Sequence, residues 1–540
     1  MGCQGKRQKI MLNYCARYIS VYRHKLAVYL SMSIVSTIIA IIIPIFCGQI
    51  IDLMTSNQDV YRLIKMGILV LLLGFLNILI GYWNYRFYIV IQTNTAEDIS
   101  EDIIHHLHKI SLNELQKYDM GYLNESINND SNSIVIFFLS LIVNALSNGL
   151  MLLSSLLILC TISLKVGAVL FLLICLYIIF FLGIRDKLLR EAESYKDARS
   201  VFFSALLEQF GNIKFIKQQA LEDYYKSKLK QEFKIFFEKA LSVQQFFYRY
   251  SSADDILEIA VNFCIYVLGG ISVVKGNMTI GGFTIILNFY KNIIASIKYF
   301  ADLGKEYQDN NASYKRLQKY CELKEQKNGV QILEDISTIS CNNLCFTRDG
   351  QRILQGLNIT FEKGEIYCIH GENGSGKTTL IDLLSGLFIG EYEGEIYYND
   401  INIENIDMRE MRRRKISILE QEPYVLGGSL EDNICLSGKQ LESKYFSRII
   451  KKKIGTVGEN GKGISGGEKQ KIGILRVLAK QSDVLIFDEP TSALDQESKK
   501  DFFDLLKKIK KEKIIIFISH DKEAKQIADK VIEMSVENHD

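Results

Sequence analysis

The sequence predicts an α-helical membrane domain of six transmembrane helices with long cytoplasmic extensions, followed by an α/β P-loop domain. Three observations predict it. Apolar runs of membrane-spanning length are confined to the first three hundred residues, a strand, glycine-rich turn and helix follow one another near residue 370, and 540 residues are too many for one hydrophobic core. The chain divides into a cytoplasmic N-terminal segment 1–25, a helical membrane domain 26–312, a linker 313–336 and an α/β domain 337–540.

The first segment carries Lys6, Arg7, Lys9, Arg17, Arg23 and Lys25 without an acidic residue. A basic flank belongs on the cytoplasmic side, and no small-residue cleavage site follows, so the first apolar run is expected to be an anchor rather than a signal peptide. Six runs are long enough to cross about 30 Å of hydrocarbon, near 26–51, 66–90, 139–163, 166–184, 256–275 and 280–300. The third and fourth are separated only around Ser163 to Lys165, and the fifth and sixth around Lys275 to Asn277, so each pair is expected to be a hairpin. The connections 91–138 and 185–255 are polar, charged and free of proline, as helices continuing beyond the bilayer would be.

One feature of the sixth run carries chemistry. Thr284, Asn288, Lys291, Ala295 and Lys298 recur at spacings of four, three, four and three, which places them on one helical face. Lys291 lies about 16 Å along the helix from Ile280, near mid-membrane, where a charge costs at least ~2.5 kcal/mol and must face a wet cavity or a partner. The stripe is a candidate lining of a substrate pathway, with Lys291 binding an anionic group. The plainer reading is an internal pair with Asp254, Asp255 or Glu258, or a side chain that snorkels to the interface.

Bulk composition excludes other classes. Formal net charge is +2, from 64 basic and 62 acidic residues, so no nucleic-acid partner is expected. Eleven cysteines occur without C-x-x-C spacing, which predicts reduced thiols rather than zinc or disulfides.

In the α/β domain, E-I-Y-C-I-H-G-E-N-G-S-G-K-T-T-L (365–380) reads as an apolar strand, a glycine-rich turn and a helix start. Gly371, Gly376, Lys377 and Thr378 satisfy G-x-x-x-x-G-K-[ST], a loop whose backbone N–H groups cradle phosphate. Lys377 can reach the outer phosphates and Thr378 can hold Mg2+. V-L-I-F-D-E-P (484–490) is a buried-strand pattern ending in two carboxylates: Asp488 on the metal side and Glu489 as the base that activates water. Between them, G-K-G-I-S-G-G-E-K-Q-K (461–471) opens a helix and offers a second phosphate-binding terminus; a simple N-cap is the plain alternative.

These motifs, in this order, resemble an ATP-binding-cassette (ABC) exporter of the half-transporter type, six spans fused to one nucleotide-binding domain. The resemblance implies that the phosphate loop Gly371, Glu372, Asn373, Gly374, Ser375, Gly376, Lys377, Thr378 and Thr379 binds ATP. It also implies that Gln421 centres a glutamine loop near Mg2+, that Ile464 to Glu468 form the signature, with Ser465, Gly466, Gly467 and Glu468 meeting nucleotide, that Asp495 ends the S-A-L-D turn, and that His520 is the switch histidine. T-V-G-E-N-G (456–461) is similar to the loop found in exporters, and segments 121–130 and 206–217 resemble those that carry the coupling helices. Three features depart from the family. Arg348 stands where an aromatic ring usually stacks on adenine, Ile464 and Glu468 replace the usual Leu and Gln, and 435–455 is a short helical subdomain.

The resemblance further implies ATP and Mg2+ as cofactors, a second copy of the same chain or a different chain as partner, a lipid bilayer, and ATP-driven export of a small molecule or peptide. Peptide cargo is the expectation, because the proline-poor, Ile/Lys/Asn-rich composition suggests a low-GC bacterium; drugs and lipids are the alternatives. No feature marks an ATP-gated sensor that moves nothing, and six spans speak against a P-loop enzyme on an anchor.

Overall fold

The computed structural model describes residues 2–55, 60–162, 191, 194–348, 350–436, 458, 463–520 and 522–534. They form two compact units, one of Met1–Ile104 with Gly121–Tyr320 and one of His105–Met120 with Cys321–Asp540.

The first unit is helical. Its elements are α1 (Gly2–Ile19), α2 (Arg23–Thr55), α3 (Val60–Leu107), then, beyond the short α4 (Leu112–Leu115) of the other unit, α5 (Met120–Ile162), α6 (Ile213–Gln218), α7 (Glu222–Val274) and α8 (Ile280–Cys321). Five described segments are long and apolar enough to cross a membrane and coincide with the first, second, third, fifth and sixth expected spans. The expected fourth span, 166–184, lies outside the described residues. At 1.5 Å per residue the 53 residues of α7 reach about 80 Å, more than twice the hydrocarbon thickness, so the polar extensions are continuations of the spans.

The extensions are nevertheless broken. Between α3 and α5 the chain turns at Ser111, whose hydroxyl caps α4 by accepting from Glu114 N, and before α7 it turns through Ala220 at φ 50°. Hydrogen bonding decides these breaks, and neither glycine nor proline marks them. The α7–α8 hairpin forms where expected: Gly276 adopts φ 72°, and Gly276 N and Asn277 N donate to Val273 O and Ser272 O, closing the helix end.

Packing fixes α8 in three places. Ile286, Phe289, Tyr290 and Ile293 are buried with Leu159, Val261 and Ile265. At its N-terminus, Asp52 of α2 accepts from Gly281 N at 2.7 Å and from Thr279 Oγ1 at 2.8 Å. Toward its other end, Arg316 grips the buried Asp130 of α5 with two bonds of 2.7 and 2.6 Å.

The second unit is α/β. Strands β1 (Thr338–Arg348), β2 (Gln351–Glu362), β4 (Glu393–Tyr398) and β5 (Ile401–Asn402) form an antiparallel sheet in the order β2-β1-β4-β5. Strands β3 (Ile366–Gly371), β6 (Ile416–Leu419), β7 (Val484–Asp488), β8 (Ile514–Ile518) and β9 (Lys530–Met534) form a parallel sheet in the order β6-β7-β8-β3-β9. β7 and β8 are buried along their whole length, as central parallel strands covered on both faces must be. Helices α9 (Lys377–Leu384), α10 (Gly466–Ala479) and α11 (Gln496–Ile509) follow the site-forming strands and loops. Leu380, Leu383 and Leu384 of α9 pack on one face of the parallel sheet, and Ile474, Leu475 and Leu478 of α10 pack on the other.

Candidate functional site

The C-terminal ends of β3, β7 and β8 converge, the place where open parallel sheets bind ligands. The phosphate loop leaves β3 at Gly371, where an added Cβ would stand 2.2 Å from Met534 O, so no larger residue fits. Gly374 and Gly376 sit at φ 85° and 86°, the left-handed region that glycine enters without steric cost. The buried Lys377 bends back and donates from Nζ to Gly371 O at 2.9 Å and Glu372 O at 2.7 Å. Ser375 Oγ is buried without a hydrogen-bond partner among the described residues. A loop of left-handed glycines around an unsatisfied hydroxyl and an ammonium fits an anion of phosphate size.

Two carboxyl groups stand beside the loop above their ordinary range. Burial pushes Asp488 up, and burial, with help from nearby Glu420 and Asp488, pushes Asp382 of α9 up to about 6 against the pull of Arg348. Thr378 Oγ1 donates to Asp488 Oδ2 at 3.0 Å. Such a pair is short of one cation, and Thr378 with Asp488 would suit Mg2+, which takes one or two carboxylates and leaves its other positions to phosphate and water. Among the described residues no three His, Cys, Asp or Glu converge as a metal cage.

Glu489 follows at φ 46°, an uncommon backbone conformation for a glutamate. Its N–H donates to Ile518 O at 3.0 Å, and its carbonyl accepts from Gln470 Nε2 at 2.9 Å and Ser492 Oγ at 3.1 Å. Thus pinned, its carboxylate lies 3.4 Å from Gln421 Nε2 and 3.7 Å from His520 Nε2. The structure therefore brings Lys377, Thr378, Gln421, Asp488, Glu489 and His520 into one cluster.

The signature residues open α10 with a reciprocal cap: Glu468 N donates to Ser465 Oγ, and Ser465 N donates to Glu468 Oε2 at 2.7 Å. Glu468 replaces the family's usual Gln without loss of this cap. Gly467 has Ala493 O 2.7 Å from where a Cβ would sit. Asp495 caps α11 by accepting from Ser498 N at 2.8 Å, which with Lys471 lowers its carboxyl to about 2. Most of 456–461 lies outside the described residues, as does most of 435–455.

Arg348, at the end of β1, is engaged by Gln116, whose Oε1 accepts from Arg348 Nη2. Gln116 belongs to the stretch His105–Met120, which packs with the α/β unit: Gln326 N donates to Lys109 O at 2.8 Å, and Leu112 sits against its core. Segment 121–130, expected to carry a coupling element, instead begins the long α5 immediately after this docked stretch. Segment 206–217 leads into the six-residue helix α6.

On α8, Asn288, Lys291 and Ala295 are exposed and Thr284 and Lys298 half-buried, opposite Ile286, Phe289, Tyr290 and Ile293. Lys291 makes no ion pair among the described residues; the side chain of Asp254 lies outside them. Sequence reasoning missed Gln470, Asp382 and Gln116. Only Gln470 carried a usable signal, since it stands one helical turn after Gly467.

Comparison with known proteins follows the same two-part division. Residues 26–297 match the ABC transporter transmembrane region, and residues 354–492 match the ABC transporter domain. The subtilin transport ATP-binding protein SpaT of Bacillus subtilis is 26% identical over 93% of this chain and 86% of its own length. The microcin-J25 export ATP-binding/permease protein McjD of Escherichia coli is 24% identical over 95% of this chain and 92% of its own. With the ATP-dependent lipid A-core flippase of Haemophilus ducreyi, identity is 27%, and the match spans 51% of this chain and 50% of that protein. A solved bacterial Atm1-family ABC exporter with ATP bound shares the fold at a TM-score of 0.79 over 96% of each chain, with 17% identity.

Proposed function

This chain belongs to the ABC transporter family, as a multi-pass half-transporter that couples ATP hydrolysis to export, and from that premise we propose that its cargo is a peptide. The observation that carries the reading is extent of likeness. The relatives matched along nearly their whole length are named for subtilin transport and microcin-J25 export, on the peptide-exporting side of the family, whereas the lipid A-core flippase match covers half of that protein. The exposed Lys291 on α8, which makes no ion pair among the described residues, supports it, because an ammonium within a span suits a peptide carboxylate.

The working unit on this reading is a homodimer, since one chain carries every element of both half-sites. Lys377 exchanges its loop carbonyls for the outer phosphates of ATP, Glu489 polarises the attacking water, and His520 and Gln421 hold the γ-phosphate side. The phosphate loop from Gly371 to Thr379, with Ser375 inside it, holds the nucleotide's anionic tail. Ser465, Gly466, Gly467 and Glu468 of one copy, flanked by Asp495, close over the ATP of the other. Thr378, Gln421 and Asp488 would hold Mg2+, which supplies charge neutralisation when bound. Arg348 can stack on the base with its guanidinium plane after releasing Gln116. Because ATP binding can shift a conformational equilibrium only through unequal affinity for its states, the closed dimer is the tighter binder.

The test is transport itself. Inverted vesicles containing the protein should accumulate a secreted peptide of the source organism in an ATP-dependent manner, and that peptide should stimulate ATPase activity in proteoliposomes. Stimulation by lipid A or by drugs with none by any peptide would overturn the cargo reading.

A further inference from the structure

Strand β3 carries a histidine that the phosphate cradle does not use. Side chains alternate along the strand: Tyr367 and Ile369 lie in the core on the α9 side, Ile366 and Cys368 in the core on the α10 side, so His370 continues the face of Ile366 and Cys368. In the parallel register Cys368 pairs with Phe517 and Ile369 with Ile518, which sets His370 beside Ser519, the residue before His520. There His370 Nδ1 donates to Ser519 O at 3.2 Å; a carbonyl oxygen only accepts, so this nitrogen carries the proton. On the other side of β3 the register partner of His370 is Glu533 of β9, whose carboxylate is engaged by Lys525 at 3.6 Å. The half-buried His370 is thus anchored to the turn that carries His520.

His520 has little else to hold it. Its side chain is 43% exposed, and its Nε2 stands 3.7 Å from Glu489 Oε1, beyond hydrogen-bond length. Neither ring nitrogen makes a hydrogen bond among the described residues. The one aromatic ring that meets it among them is that of His370, with centroids 5.6 Å apart and planes at 64°. This is edge-to-face geometry, in which the positive rim of one ring lies against the negative face of the other. An exposed imidazole loses rotamer freedom when it engages a phosphate, and a contact that already restricts it lowers that cost.

We propose that His370 is a positioning residue for ATP hydrolysis: its ring, anchored through Ser519 O, holds the imidazole of His520 beside Glu489, ready for the γ-phosphate. This rests on the role given to His520 above and adds the residue that sets its direction. Loss of the contact should lower kcat and leave the KM for ATP, since the loop that holds the nucleotide's anionic tail keeps its own contacts through Lys377.

The experiment measures ATPase activity of the full chain in nanodiscs, in steady state and with protein in excess over ATP so that slow turnover stays measurable. Wild type is compared with His370→Ala, His370→Phe, His520→Ala and the double variant His370→Ala/His520→Ala, each first checked for thermal melting and ATP binding. His370→Ala should lower kcat about three- to tenfold, the range of one aromatic pair, with KM within about twofold of wild type. His370→Phe keeps a ring against His520 and should recover most of that loss. With His520 already removed, His370→Ala should cost nothing further. An equal further fall in the double variant would show His370 acting on something other than His520 and overturn the proposal. So would a His370→Phe protein as slow as His370→Ala. Wild-type turnover in His370→Ala beside a slow His520→Ala would overturn it too, while leaving His520 in place. If His520→Ala itself turned over ATP like wild type, the role of His520 would fall, and that of His370 with it.

Discussion

Replacing Glu489 by glutamine separates chemistry from structure at the nucleotide site. The backbone there is held at φ 46° by bonds that do not involve the carboxylate: Glu489 N to Ile518 O, and Gln470 Nε2 and Ser492 Oγ to Glu489 O. Glutamine has the same length and can keep the contact with Gln421 by an amide flip, so the site should keep its shape. What disappears is the negative charge, 3.7 Å from His520 Nε2, to which the proposed mechanism gives the polarisation of water. A positioned general base contributes about 10² to 10⁴ in rate, or roughly 3 to 5 kcal/mol of barrier. Phosphate release from Glu489→Gln in nanodiscs should fall by that factor while ATP affinity stays within about threefold, since the cradle of Gly371 to Thr378 is untouched. Cross-linked dimers should accumulate with ATP. Hydrolysis within a few-fold of wild type would remove Glu489 from the role of base.

Arg316→Ala strands the buried Asp130 carboxylate and should cost about 2 to 3 kcal/mol, the lower end for a broken buried pair because the guanidinium is half exposed; adding Asp130→Asn should restore part of the melting temperature. Gly281→Ala would place a Cβ 2.0 Å from Gly48 O, so α2 and α8 must separate, at about 1 to 3 kcal/mol; Gly149→Ala, which meets nothing within 4 Å inside α5, is the control that should melt no lower than wild type. Asp382 titrates at about 6 in the folded unit and near 3.8 when unfolded, so the folded state binds more protons between those values and loses stability as pH rises through them. Asp382→Asn should therefore raise the melting temperature by about a few degrees at pH 7.5 and converge with wild type near pH 4. A constant difference across that range would mean that packing, and not ionisation, sets the effect.

Much of the nucleotide site was legible in the sequence because its chemistry is local. A phosphate cradle needs consecutive N–H groups, so Gly371 to Thr378 are contiguous, and Asp488 with Glu489 must end one strand. The five described spans were equally legible, because hydrocarbon thickness imposes a minimum apolar length, and α8's polar stripe showed through the helical period. Tertiary structure alone decided the rest. The sheet order β6-β7-β8-β3-β9 brings Ile518 and His520 against Glu489, and Gln470 reaches it from α10. Asp382 becomes a perturbed acid only through the burial and neighbours it gains on α9. Gln116 meets Arg348 across 232 residues, and Tyr299 of α8 reaches Ser140 O of α5 only because two helices far apart in the chain pack together. Periodicity reports which face of a helix is polar, but the partner of that face is set by strand order and helix register, which arise from burying side chains far apart in the chain.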